Sequence, residues 1–289
     1  MTDRAGERLT PGLGRRAAGA TPARVQVLEP GRRAARDDLV ATEEPLEIRL
    51  AAARGEARTV AVTMRTPGSD FELAAGFLRT EGVVAHRADV RRIDYCLDAG
   101  EQRYNAVTVR LAAGELPPLG ALDRYGSVSS ACGVCGKTSL DALEVRGVAP
   151  APAGQPVLDR DVLYGLPDAL RAAQGTFSAT GGLHAAGLFS PAGEALAVRE
   201  DVGRHNAVDK VVGWALLKGV PVGAAALVVS GRAGFEIVQK AAAAGIPVVC
   251  AVSAPSSLAV DVANRFGLTL VGFLRGRRAN VYAGADRVG

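Results

Sequence analysis

From Pro45 to Leu50 apolar and polar residues alternate, so that Leu46, Ile48 and Leu50 share one face of a strand. The same period of two returns in RTVAVTM, through Val60, Val62 and Met64, and RRIDYCL and NAVTVRL predict two further strands. In SDFELAAGFLRTEG the period becomes helical. Leu73, Ala74, Phe77 and Leu78 form an apolar stripe, Ser69 and Glu72 have the spacing of a capping box, and Gly82 is the stop. AAGELPPLGALDRYGSVSSACG then breaks every pattern with Pro and Gly and marks an exposed connection. Residues 24–128 therefore predict a smaller, β-rich α+β domain.

The second half is more regular. DRDVLYGLPDALRAAQG predicts a helix kinked or split at Pro167, and LHAAGLFSPAGEALAVRED a hairpin turning through Pro191 to Gly193. Helices and strands then alternate: NAVDKVVGWALLKG, AALVVSG, GFEIVQKAAAAG, IPVVCAVS, PSSLAVDVANRFG, LTLVGFLRG and a last short strand, ANVYAG. Short apolar strands between amphipathic helices predict an α/β domain over residues 129–289, a mostly parallel sheet covered on both faces.

In such sheets ligands bind outside the carboxyl ends of the strands. Those ends carry Ser230-Gly231-Arg232, Ser253-Ala254-Pro255-Ser256-Ser257 and Arg275-Gly276-Arg277-Arg278, and AVRED leads into Val202-Gly203-Arg204-His205-Asn206. Small residues admit a ligand to backbone N–H groups, and guanidinium forks match phosphate oxygens. An anionic, nucleotide-like ligand is expected on this edge. Ser230, Arg232, Arg204 and His205 are candidates for it, against the plainer role of capping a helix or fixing a loop.

Composition narrows the field. A chain of 289 residues, 48% hydrophobic and 22% charged, can form two compact domains. Aromatic residues, at 4%, are too few to build stacking platforms for single-stranded nucleic acid. Part of the modest net charge of +4 comes from the first 36 residues, rich in Ala, Gly, Pro and Arg and without apolar periodicity. That opening is expected to be largely disordered, with residues 1–23 a basic tail outside any domain. Arg15-Arg16 are followed by no apolar region of the kind an export signal needs, and no apolar run approaches the ~18 residues of a membrane span. A cytoplasmic protein that engages neither membrane nor nucleic acid is expected.

The chain has four cysteines, too few for a disulfide scaffold. Cys96 and Cys250 fall in strand-like stretches and are expected to be small buried residues. Cys132 and Cys135, in SSACGVCGKTSLDAL, are set among glycines instead. Thr138 and Asp141 have capping-box spacing for a short helix, whose N-terminus, with Lys137, favours a thiolate. A structural zinc needs four ligands, and His86, His184 and His205 are scattered singly. A zinc deaminase would show H-x-E and P-C-x-x-C elements, which are missing here. No metal is expected to be permanently held. Thiol–disulfide exchange is the stronger rival, but the long loop before the pair and the short helix after it suit a swinging carrier better. A nucleotide-binding scaffold with incidental cysteines is the remaining alternative.

Taken together, SSACGVCGKTSLDALEVRG, FSATGGLHAAGLF, VREDVGRHNAVDKVVGWALL, SGRAGFEIVQKAAAAGIPVVCAVSAPSSLAV and LTLVGFLRGRRANVYA resemble the FdhD family, the formate dehydrogenase accessory sulfurtransferases. The resemblance runs from about RDDLVATEEPLEIRL to the C-terminus. It implies a persulfide carrier that takes sulfane sulfur from a cysteine desulfurase. It also implies delivery to the molybdenum (or tungsten) bis-molybdopterin guanine dinucleotide cofactor of the formate dehydrogenase catalytic subunit. On this resemblance Cys132 would carry the persulfide and Cys135 assist it. The cofactor-binding segment would be Phe273, Leu274, Arg275, Gly276, Arg277 and Arg278, and the larger domain would be similar to the cytidine deaminase fold. A pseudo-symmetric bis-dinucleotide suits a homodimer with one nucleotide site per subunit.

Overall fold

The computed structural model describes residues 19–96, 104–118 and 148–289. Its first element is an antiparallel ribbon of β1 (Ala20–Glu29) and β2 (Arg32–Ala41), paired without interruption from Ala20↔Ala41 to Glu29↔Arg32. This corrects the expected disorder over residues 20–36. Pro30-Gly31 supplies the two-residue turn, with Gly31 at φ 75°. A ribbon needs a ladder and cross-strand pairs such as Arg24–Asp37, not an apolar period facing a core.

A four-stranded sheet follows, of β3 (Glu44–Ala51), β4 (Arg58–Arg65), β5 (Val90–Tyr95) and β6 (Ala106–Leu111), in the order β4-β3-β6-β5. Leu46, Ile48, Leu50, Val60, Val107 and Val109 pack against Leu73, Ala74, Phe77 and Leu78 of α1 (Asp70–Thr80), whereas Val62 and Met64, expected on the face of Val60, are exposed because a register shift at Ile48/Arg49 breaks the alternation of β4. The capping box does not form. Ser69 is left-handed (φ 56°) with no side-chain cap, and Glu72 receives two hydrogen bonds from Arg199, at 2.6 and 2.8 Å. Beside it the buried Arg65 donates to both carboxylate oxygens of Asp70, at 3.0 and 3.2 Å, to Glu44 and to the Tyr104 carbonyl.

The remaining chain builds α2 (Arg160–Ala172), α3 (Gly175–Thr180), β7 (His184–Phe189), β8 (Ala195–Asp201), α4 (Arg204–Lys218), β9 (Ala226–Val229), α5 (Phe235–Ala244), β10 (Val248–Ala251), α6 (Ser257–Arg265), β11 (Thr269–Arg275) and β12 (Arg278–Ala283). α2 runs unbroken through Pro167. The strands form one six-stranded sheet in the order β12-β11-β10-β9-β7-β8. It is mixed rather than mostly parallel. β9, β10 and β11 are parallel neighbours, but β12 returns antiparallel beside β11, and the β7–β8 hairpin docks antiparallel on β9. Strand direction follows from the connections, and a hairpin adds an antiparallel pair wherever it docks.

Alternation across the central strands feeds two cores. Leu227, Val229, Val249, Ala251 and Leu270 face α4, α5 and α6, whereas Val228, Val248, Cys250, Val271 and Leu274 face Leu163, Leu166 and Leu170 of α2. The sheet is thus the middle of three layers. Cys250 is fully buried, which pushes its thiol up to about 12. Cys96 is only half-buried, its sulfur 3.0 Å from the Thr108 hydroxyl.

Helices α1 and α4 join the two sheets and cross with their backbones in contact. A β-carbon on Gly76 would lie 1.8 Å from the Asp209 carbonyl oxygen, and one on Gly213 would lie 1.8 Å from that of Glu72. Beneath the crossing Asp209 accepts two hydrogen bonds from Lys240, at 2.8 and 2.9 Å, and one from Thr80 at 2.9 Å. All three residues are buried. No helix among the described residues is long and apolar enough to cross a membrane.

Candidate functional site

The carboxyl ends of β8, β9, β10 and β11 lie along one edge of the sheet. The turn after β8 is fixed by Asp201, fully buried, which accepts from the backbone N–H of Thr66 and Gly203, from Asn206 and from Lys210 at 2.7 Å. Fixing this turn sets the start of α4. Its N-cap is Gly203, without a side-chain cap, and Arg204 and His205 stand in its first turn.

The loops after β9 and β10 are tied to each other. Ala233 donates to the Ala254 carbonyl, Ser256 donates to that of Ala233, and Ala233 bridges Pro255 in parallel fashion. Phe273 then donates to the Ser253 carbonyl at 3.1 Å. It sits in the register shift between β11 and β12 with φ 51°, a left-handed conformation costly for a bulky residue.

Helix α5 begins at an equally uncapped glycine, Gly234. In its first turn Glu236 meets His205, with Oε2 2.6 Å from Nε2. The hydrogen bond from His205 holds the Glu236 carboxyl below its usual range. His184, at the start of β7, faces Gly231: a β-carbon there would be 3.3 Å from Nδ1. Burial, followed by the charges of Arg204 and His205, pushes the His184 imidazole below its usual value. Two uncapped helix N-termini, two imidazoles, Arg204 and the exposed Arg232 therefore share this edge, an arrangement able to hold an anion with oxygens in several directions.

The expected site residues are not all gathered here. His205 and Arg232 are, and Phe273 joins through Ser253. Ser230 is nearby, but its hydroxyl accepts from the Ala185 N–H at 2.9 Å, so it fixes the loop to β7. Leu274 is fully buried in the core under α2, and its side chain offers no surface to a ligand. Arg275 and Arg278 are paired across a two-residue turn, Gly276-Arg277, with Gly276 at φ 54°. Arg277 turns to the α2 side, 2.7 Å from Asp161 and over the Tyr164 ring. Arg275 and Arg278 are exposed and carry no side-chain bond among the described residues. Cys132 and Cys135 lie outside the described residues. Sequence reasoning missed Glu236 and His184. Glu236 looks like an ordinary acidic residue at a helix start, and His184 is a lone histidine at a strand start. Only the mixed sheet brings β7 beside β9.

Comparison with known proteins decides the lineage. The sequence profile of the FdhD/NarQ family matches residues 41–289. The chain belongs to this family. Proteins named sulfur carrier protein FdhD are similar to it: that of Streptomyces coelicolor is 55% identical over 258 residues, covering 88% of this chain and 90% of the relative. That of Mycobacterium tuberculosis is 54% identical over 261 residues, covering 88% and 92%. Among solved structures, that of a putative formate dehydrogenase accessory protein from Desulfotalea psychrophila superposes with a TM-score of 0.75 at 27% identity. It covers 94% of this chain and all of that one.

Proposed function

We propose that the protein is a sulfur carrier serving a formate dehydrogenase, with a guanine-dinucleotide molybdenum (or tungsten) cofactor as its client. Membership in a family whose relatives are named sulfur carriers carries the reading, and the edge chemistry supports it. On this reading the three-layer sheet is a deaminase-like fold turned from zinc chemistry to holding a nucleotide. Arg232, Arg275 and Arg278, with the N-termini of α4 and α5, would grip the diphosphates.

Sulfur arrives when the Cys132 thiolate attacks the outer sulfur of a cysteine desulfurase persulfide. The desulfurase thiolate leaves, and Cys132 becomes a persulfide. Delivery as sulfide follows if the Cys135 thiolate attacks the inner sulfur of Cys132. Hydrosulfide leaves and a Cys132–Cys135 disulfide remains, which a thiol reductant reopens before the next cycle. Holding cofactor and persulfide on one protein makes the transfer effectively intramolecular.

Intact-mass measurement after incubation with a cysteine desulfurase and cysteine tests the carrier step. The expected gain is ~32 Da or a multiple in the wild type and none in Cys132→Ala. An unmodified wild type would favour a nucleotide-binding scaffold. For the nucleotide step, Arg275→Glu/Arg278→Glu should weaken GDP binding by about ten-fold or more, since each lost charge-assisted bond is worth ~1.5–3 kcal/mol. Unchanged GDP affinity would remove the turn from the site.

A further inference from the structure

His184 reaches the carboxyl edge only because the β7–β8 hairpin docks on β9. Its half-buried imidazole stands against Gly231 and makes no side-chain hydrogen bond among the described residues. The groups around it are unevenly signed. α4 presents Arg204 and His205, the end of β8 presents Asp201, and Arg232 is exposed in the loop after β9. From α2, beneath β7, come only the leucines 163, 166 and 170. Both nearby acids are engaged, Asp201 by Lys210 at 2.7 Å and Glu236 by His205 at 2.6 Å. Arg204 makes no side-chain hydrogen bond or ion pair among the described residues. The charge left over on this part of the edge is positive, which suits an anion. Burial and the neighbouring cations meanwhile push the His184 imidazole below its usual value, so that it stands neutral at neutral pH.

We propose that His184 is a phosphate-binding residue of this edge and takes up one proton from solvent as a phosphate of the client arrives. The inference rests on the nucleotide-holding reading of the edge and adds a contact to it. The neutral imidazole gains a proton, its N–H donates to a phosphate oxygen, and the proton returns to solvent when the client leaves. Gly231 leaves room at Nδ1 that a β-carbon, 3.3 Å away, would crowd. His205 does not duplicate the role, because a proton gained there is answered inside the protein by Glu236. The sign follows from linkage. Free His184 titrates below the usual imidazole value, and an adjacent anion raises it. Affinity therefore grows as pH falls from the bound value to the free value, and is level on either side of that window.

The chain has three histidines, which makes the proton traceable. With carbon-13-labelled histidine in the full chain, NMR titration of the ring C–H signals reads each imidazole separately, with and without saturating GDP-mannose. That probe is chosen because its diphosphate is esterified at both ends and does not titrate in this range, unlike the terminal phosphate of GDP. It should raise the His184 midpoint by about one pH unit or more, the effect of an opposite charge within ~4–6 Å. The exposed His86, in the first domain, should not move. Calorimetry should show GDP-mannose binding up to about ten-fold tighter at about pH 5.5 than at about pH 7.5, a difference lost in His184→Asn. GDP-mannose bound with His184 unmoved, or a pH dependence that survives in His184→Asn, would overturn the inference and leave the nucleotide reading standing. No binding at any pH would overturn both.

Discussion

Replacing Gly213 by alanine adds one methyl group where α4 touches α1. The new carbon would stand 1.8 Å from the Glu72 carbonyl oxygen and 2.7 Å from the Gly76 nitrogen. Carbon and oxygen approach no closer than ~3.3 Å without cost, so the helices must part by ~1.5 Å. Both contacts are backbone, and no rotamer change can make room. The separation costs about 1–3 kcal/mol in overpacking, and stretching the buried Thr80–Asp209 bond costs about 1–3 more. Alanine's better helix propensity returns about 1 kcal/mol, leaving a net loss near 3. Urea unfolding followed by circular dichroism reads this as a lower midpoint. Gly165→Ala in α2 is the control: nothing lies within 4 Å of its added carbon, so it should gain up to about 1 kcal/mol. The double variant Gly76→Ala/Gly213→Ala should cost less than the sum, since the first separation makes room for the second methyl. A Gly213→Ala midpoint at or above wild type would refute the argument.

Lys240→Ala should destabilise by about 3–5 kcal/mol by leaving Asp209 buried without its cation, and Lys240→Met/Asp209→Leu should recover most of that in the same assay. Arg65→Met should cost a similar amount, because among the described residues Asp70 would keep only the Tyr95 hydroxyl as a side-chain donor. Stability should fall on acidification through the range below about 6.5. There the unfolded chain protonates His184 while the folded chain, its imidazole shifted down, does not. Unfolding midpoints at about pH 7.5 and about pH 5.5 should converge in His184→Asn; equal slopes in both proteins would reject the assignment. Glu236, also shifted down, loses its contribution only as pH falls through and below the usual carboxylate value of 4.5, a separate window.

Much of this was readable in the chain, for reasons that differ by element. The alternation in PLEIRL and the stripe through Leu73, Phe77 and Leu78 specify which faces are buried, and burial specifies the elements. The strand ends bearing Arg232 and Ser253 were legible because a βαβ pattern fixes which end of a strand precedes its helix. Strand direction for β7 and β12 was not, since a hairpin's docking site is a tertiary matter. Ser69 and Glu72 had capping-box spacing, but Arg199 competes for Glu72 from a sequence distance no local pattern reaches. The His205–Glu236 pair was hidden in the same way: its members start different helices. Composition hid the β1–β2 ribbon by suggesting disorder where Pro30-Gly31 and a ladder suffice.

Cys250, sealed beneath α2, has a bearing on how sulfur loading can be counted. A thiol pushed up to about 12 supplies almost no nucleophile at neutral pH, and no reagent reaches it in the folded state. Native alkylation of the folded chain therefore leaves Cys250 out of its count. Cys250 becomes visible only after denaturation, giving every labelling experiment an internal standard for how much of the sample was intact.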